Sequence, residues 1–176
     1  MPKRIEDIES KLRETAKQQL LSGGYQRLTL RSVACECGIA VGTIYNYFPS
    51  KDLLVASVML EDWQSTMATM KAGCEAADNV TEGLRAIYMC ILDFSELYRK
   101  VWSESASQDK AQLYHPTRHL ELQNQLAGMI RKLLTRFEII TEEAMDRFLA
   151  ESVLTVALQE NLDFEILALV LGQLFG

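Results

Sequence analysis

Apolar residues recur along this chain at helical spacing. Ile5, Ile8, Leu12, Ala16 and Leu20 follow steps of three and four, one face of a helix. That helix is predicted from Ile5 to Ser22, with Gly23-Gly24 ending it. Leu30, Val33, Ala34 and Cys37 form a second stripe. Thr29 stands before it as an N-cap, and Gly38 suits the left-handed position after it. Ile44 and Phe48, four apart, predict a short inward-facing helix from about Val41 to Tyr47. Pro49 stops that helix, and Ser50 caps a longer one to about Ala72. Polar residues from Gly73 to Thr81 predict a break. Leu84, Ile87, Tyr88, Ile91, Ser95, Tyr98 and Trp102 then mark a helix over Thr81 to Ser103. Ser103 to Arg118 reads as polar and irregular. Leu122, Leu126, Met129, Ile130, Leu133 and Phe137 place another helix over His119 to Glu138. Thr141 caps the next, which carries Phe148, Leu149, Val153, Val156 and Ala157. Asn161 and Asp163 mark the last break. The final helix, Phe164 to Phe175, is apolar almost all round, so it needs burial on two sides. No β-like alternation is sustained, and the expected fold is all-α.

The two short helices around Gly38 have the layout of a helix-turn-helix, which places its second helix in a DNA groove. Its outward set is Val41, Gly42, Thr43, Tyr45 and Asn46, with Tyr47 at the edge. Gly42 admits close backbone approach. Thr43 and Asn46 offer hydrogen bonds to base edges or phosphate. Tyr45 and Tyr47 offer hydroxyls to phosphate oxygens. Lys51, in the first turn of the next helix, adds a charge beside free amides. Arg31 is a further phosphate candidate near the start of the first motif helix.

The run Thr-Ile-Tyr-Asn-Tyr-Phe-Pro-Ser-Lys-Asp-Leu, Thr43 to Leu53, resembles the signature of the tetracycline-repressor (TetR) family of bacterial regulators. Gly24-Tyr25, Thr29, Val33-Ala34 and Gly38 also fit that pattern, so the resemblance covers about Ala16 to Leu54. It implies DNA contacts from Thr29, Gly42, Thr43, Tyr45, Asn46, Tyr47 and Lys51. Two positions depart from it. Ala40 replaces a capping Ser, whose loss costs typically about 1 kcal/mol, and Ser32 stands where an acid is common. The resemblance also implies that the last two helices build a four-helix dimer interface with their mates. Phe148, Val153, Val156, Leu167, Val170, Leu171 and Leu174 are the candidates, unless these helices only complete the chain's own core. Two domains are expected: a helix-turn-helix domain over 1–52, joined by a connecting helix to an all-helical ligand-binding and dimerisation domain over 53–176.

Charge fits this division. The net charge is −6, an unpromising balance for a DNA binder. Residues 1–52, however, hold eight Lys/Arg against six Asp/Glu, a balance of +2. Residues 53–176 hold ten against eighteen, a balance of −8. A mildly basic head on an acidic body suits a small DNA-binding domain carried by a larger one. Lys3, Arg4, Lys11, Arg13 and Lys17 are either phosphate contacts or a solvated face. The four cysteines, Cys35, Cys37, Cys74 and Cys90, do not form a disulfide framework in a chain this long. Cys35 and Cys37 point about 200° apart on a helix and cannot share a metal. His115 and His119 are four apart, but Pro116 disturbs any helix turn there, so no metal site is expected.

Trp63, Met67, Met70, Tyr88, Met89, Tyr98 and Trp102 are candidates to line an effector pocket in the body, or ordinary core. No glycine-rich phosphate loop occurs and neither histidine has a nucleophile beside it, so neither an enzyme nor a bound cofactor is expected. The start, Met-Pro-Lys-Arg, lacks an apolar signal core, and Ile166 to Leu171 is too short to span a membrane. A cytoplasmic homodimer is expected, acting as a repressor on palindromic operator DNA and answering a small-molecule effector. The competing reading is an all-helical adaptor that acts through protein partners.

Overall fold

The computed structural model describes residues 5–113, 116–159 and 161–175, and their side chains except 5–6, 105–113, 116–118 and 174–175. Among the described residues all regular structure is helical: α1 Ile5–Gly23, α2 Leu30–Cys37, α3 Val41–Ile44, α4 Lys51–Ala76, α5 Val80–Leu113, α6 Pro116–Arg136, α7 Glu143–Leu158 and α8 Phe164–Phe175. The chain forms two compact units. One comprises residues 1–64 with 97–108, the other 65–96 with 109–176. Helices α4 and α5 therefore contribute to both, whereas the sequence predicts a single division at 52/53.

In the first unit Leu12, Ala16 and Leu20 of α1 are buried with Leu28, Leu30, Val33, Ala34 and Cys37. The α1 stripe thus meets the α2 stripe. Gly24 closes α1 in the left-handed region, φ 81°, with its amide on the Leu20 carbonyl at 2.9 Å. Gly38 does the same for α2 at φ 71°. Its amide bonds the Cys35 carbonyl at 3.1 Å, and the Ile39 amide bonds the Ala34 carbonyl at 3.0 Å.

Thr29 caps α2 from extended backbone. Its Oγ1 accepts from the Ser32 amide at 3.0 Å, and Ser32 Oγ accepts from the Thr29 amide at 3.3 Å. This is a reciprocal capping box, so the serine at the acid's usual position does the acid's work. Helix α3 has no such help, because Ala40 makes no side-chain cap. The predicted helix to Tyr47 is accordingly shorter. Regular α-structure ends at Ile44, and the Asn46 and Tyr47 amides bond back three residues, to Thr43 at 3.1 Å and Ile44 at 3.0 Å. Pro49 disfavours helical backbone at Phe48, which completes the stop.

The later helices depart from expectation in four places. Helix α4 runs to Ala76, through the break expected from Gly73. Helix α5 runs to Leu113, through the stretch expected to be irregular. Pro116 stands at the first position of α6, where its missing N–H costs nothing. Thr141 does not cap α7; Glu142 holds that position without a side-chain bond. Instead Thr141 Oγ1 donates to Asp146 Oδ1 at 2.7 Å, and Arg131 Nε donates to Oδ2 at 2.6 Å. Asp146 is wholly buried, and these two bonds compensate its lost hydration. Asp163 Oδ1 caps α8 by accepting from the Glu165 amide at 2.9 Å.

Gly24→Ala forces a side chain into the left-handed region and puts its Cβ against the Glu104 carboxylate, 2.6 Å from Oε2. A loss of about 1–2 kcal/mol is expected by urea denaturation, and an unchanged midpoint would show the turn relaxing freely. Ala40→Ser supplies the absent cap on backbone that already has the required extended geometry. Stability is expected to rise by about 1 kcal/mol; no rise would mean that the short helix does not limit the unit's stability.

Candidate nucleic-acid interface

Two residues fasten the short helix and the turn after it to the first unit. Ile44 is fully buried and Phe48 nearly so, so the face opposite them is turned outward. Tyr45 is 52% exposed and Val41 38% exposed. Gly42 and Asn46 are exposed, while Thr43 and Tyr47 are half-buried. The side chains of Thr43, Tyr45, Asn46 and Tyr47 make no hydrogen bond within the described residues. Nothing lies within 4 Å of where a Cβ on Gly42 would sit. The result is an open surface of unspent donors and acceptors around a bare backbone.

The cations divide into structural and available ones. Three of the phosphate candidates on α1 serve the fold. Arg13 pairs with Glu9 and, at 2.8 Å, with Glu61. Lys17 pairs with Asp62 at 2.6 Å. Lys11 Nζ donates to the Cys37 carbonyl at 3.1 Å. Engaged in this way, they are not free to grip phosphate, and they correct that half of the reading. Lys3 and Arg4 lie outside the described residues. Arg31 is exposed and has no ion pair within the described residues. Arg27 is equally exposed and has no ion pair within the described residues; its position four residues before Arg31 is the signal for it in the sequence. Lys51 is half-buried. Its Nζ donates to the Tyr25 carbonyl at 3.2 Å and lies 3.8 Å from the centroid of the Tyr25 ring. Thr29 is exposed, though its hydroxyl is already engaged by Ser32.

The effector candidates fall in different parts of the chain. Tyr98 is fully buried, and its hydroxyl donates to Asp62 Oδ2 at 2.5 Å. Burial first, then the Asp62 carboxylate, push its phenol far above the ordinary tyrosine range. Tyr98 also lies against Trp102, ring centroids 6.5 Å apart. Tyr98 is therefore core of the first unit and not a pocket wall, because its whole surface and its polar atom are already occupied. Trp63 belongs to the same unit and is half-buried. Met67 and Tyr88 belong to the second unit. Tyr88 packs on Phe164, centroids 5.3 Å apart. Cys74 is buried too, its thiol pushed up to about 11 chiefly by burial, which suits an inert core residue.

The dimerisation candidates also separate. Val153, Val156, Leu167 and Leu171 are buried in the chain's own core, so they are not available as first contacts for a second copy. Helical periodicity could not tell the two faces of so apolar a pair of helices apart. Phe148 and Val170 are exposed at 59% and 47%. The side chain of Leu174 lies outside the described residues, as does His115. Leu158, Ile166 and Leu169, not singled out from the sequence, join the exposed set. Among the described residues no helix is long and apolar enough to cross a membrane.

This geometry agrees with what the chain resembles. Residues 12–58 match the family model described as bacterial regulatory proteins, tetR family. The transcriptional repressor KstR of Rhodococcus jostii is 31% identical over 67 residues, 34% of this chain and 32% of that protein. The matches to KstR proteins span about a third or less of those proteins' length. The transcriptional regulator UidR of Escherichia coli is 19% identical over 74% of this chain and 68% of its own. The crystal structure of a TetR-family transcriptional regulator from Pectobacterium atrosepticum has the same fold. It superposes with a TM-score of 0.67 at 20% identity, covering 99% of this chain and 93% of that one. The motif, its outward face and the family-model match identify residues 12–58 as a segment of the tetR-family kind, and the chain as a whole shares its fold with a TetR-family regulator.

Proposed function

We propose that this protein is a cytoplasmic transcriptional repressor that binds palindromic operator DNA as a homodimer. The observation that carries this reading is the outward face of α3 and the turn after it. Four polar side chains stand there unsatisfied within the described residues, around a glycine with open space, flanked by the free Arg31 and by Lys51. A surface meant for solvent alone has no need of an uncovered backbone at its centre. Thr43 and Asn46 reach base edges, and Arg31, Tyr45, Tyr47 and Lys51 hold phosphates. That surface favours an operator-binding protein over an adaptor of the same fold.

Dimerisation follows from the second unit. Phe148, Leu158, Ile166, Leu169 and Val170 leave an apolar surface on α7 and α8, of the kind that marks an interaction site. Two copies joined there present two recognition helices, which must reach successive major grooves about 34–36 Å apart. An effector in the body regulates the protein if it favours one spacing of those helices over the other; that difference in affinity is the whole regulatory energy.

A mobility-shift assay over promoter fragments flanking its own gene tests the reading. Tyr45→Ala is expected to weaken binding alike on every sequence, since phosphate contacts carry no base information. A changed base preference at one position would overturn that assignment. Gly42→Leu is expected to abolish the shift while helicity by circular dichroism stays unchanged, because a Cβ there projects into open space; lost helicity would refute the docking account. Leu169→Glu, at a position 74% exposed, is expected to give a folded monomer by sedimentation, with weakened operator binding. A dimer that survives this change would move the interface elsewhere.

A further inference from the structure

Lys51 is held by a contact that the DNA-binding reading does not explain. Its ammonium lies 3.8 Å from the centroid of the Tyr25 ring and donates to the Tyr25 carbonyl at 3.2 Å. Tyr25 is itself fixed. Its hydroxyl donates to the Asp52 carboxylate on the first turn of α4. Burial and that carboxylate push the phenol up to about 12, so it stays a neutral donor. The turn carrying Tyr25 is clamped on both sides of it. Gly24 before it sits against the Glu104 carboxylate. Gln26 after it bonds Glu104 twice, its amide to Oε2 at 3.2 Å and its Nε2 to the backbone carbonyl at 3.0 Å. Lys51 and Asp52 are neighbours on a helix and do not face each other, so the ammonium remains with the ring.

We propose that Tyr25 is a positioning residue for DNA binding: its ring and carbonyl hold the Lys51 ammonium in place before a phosphate arrives. This rests on the reading of α3 and Lys51 as the DNA-binding surface. The physical reason is entropic. A free lysine side chain loses several rotatable bonds when it grips phosphate. A lysine already laid over a ring has lost most of that freedom in the unbound protein. An ammonium has three protons. One goes to the Tyr25 carbonyl, the ring face takes the charge without consuming a proton, and protons remain for a phosphate oxygen.

The test is a double-mutant cycle on affinity for the duplex promoter fragment flanking the protein's own gene, at fixed low salt. Tyr25→Leu is expected to weaken binding about three- to tenfold in the wild-type background, the cost of immobilising one long side chain. In the Lys51→Ala background it is expected to cost nothing further. Tyr25→Phe keeps the ring and the carbonyl and is expected to stay within about twofold of wild type, although it loses the bond to Asp52. Tyr25→Met fills the same space without a ring and serves if the leucine variant fails to fold. An equal loss in both backgrounds would mean that Tyr25 only supports the turn, and the proposal would fall. It would also fall if neither ring-less variant weakened binding, or if Lys51→Ala left affinity unchanged. Absence of any salt-dependent shift from the wild-type protein would instead overturn the DNA-binding reading, and this inference with it.

Discussion

A helix of four residues cannot hold itself together. One turn fixes several backbone dihedrals for a single intrahelical hydrogen bond, which is a net loss in water. What keeps α3 folded is the burial of Ile44 and Phe48 in the core built by α1 and α2. Burying two such side chains is worth about 3–6 kcal/mol, enough to offset the ordering of one turn and its missing cap. The same two residues fix which way the turn faces. With Ile44 and Phe48 inward, Gly42, Tyr45 and Asn46 have nowhere to go but out. The candidate interface is thus a by-product of two apolar anchors.

The polar chemistry of the first unit serves that core in two ways. Capping at Thr29 and Ser32 and the turns at Gly24 and Gly38 fix where α2 begins and where α1 and α2 end. The ion pairs of Arg13 and Lys17 tie α1 to Glu61 and Asp62 of α4, and Tyr98 of α5 also donates to Asp62. An exposed ion pair contributes little alone. Asp62 differs in being shared by a lysine and a buried tyrosine, so removing it would take a bond from both. Basic residues spent on such contacts leave few for other work: in a chain of net charge −6, Arg27 and Arg31 stay exposed and without an ion pair among the described residues.

In the second unit the last two helices carry more apolar surface than one chain can cover. Phe164, Leu167 and Leu171 go inward with Leu149, Val153 and Leu154, while Phe148, Ile166, Leu169 and Val170 remain outside. Fold and proposed association draw on one helix pair. The buried Asp146, bonded by Arg131 and Thr141, fixes the α6–α7 connection that sets where this surface begins.

Much of this was legible in the residues alone. Helix existence followed from spacing, the turns from Gly24, Gly38 and Pro49, and the family resemblance from Thr43 to Leu53, because backbone geometry, one-face burial and a short motif are local properties. Three things were not legible. Helix lengths were one: α4 passes Gly73 and α5 passes Ser103, since packing overrides weak local breakers. The allocation of charges was another, because Lys11, Arg13 and Lys17 find partners 26 to 48 residues away that no local pattern announces. The last was the sorting of an all-apolar helix into core and surface, and of Tyr98 into core. Local sequence set which faces were apolar and where the chain turned; only the tertiary structure decided which apolar faces were covered and which cations were spent, because burial and ion pairing depend on residues distant in the chain.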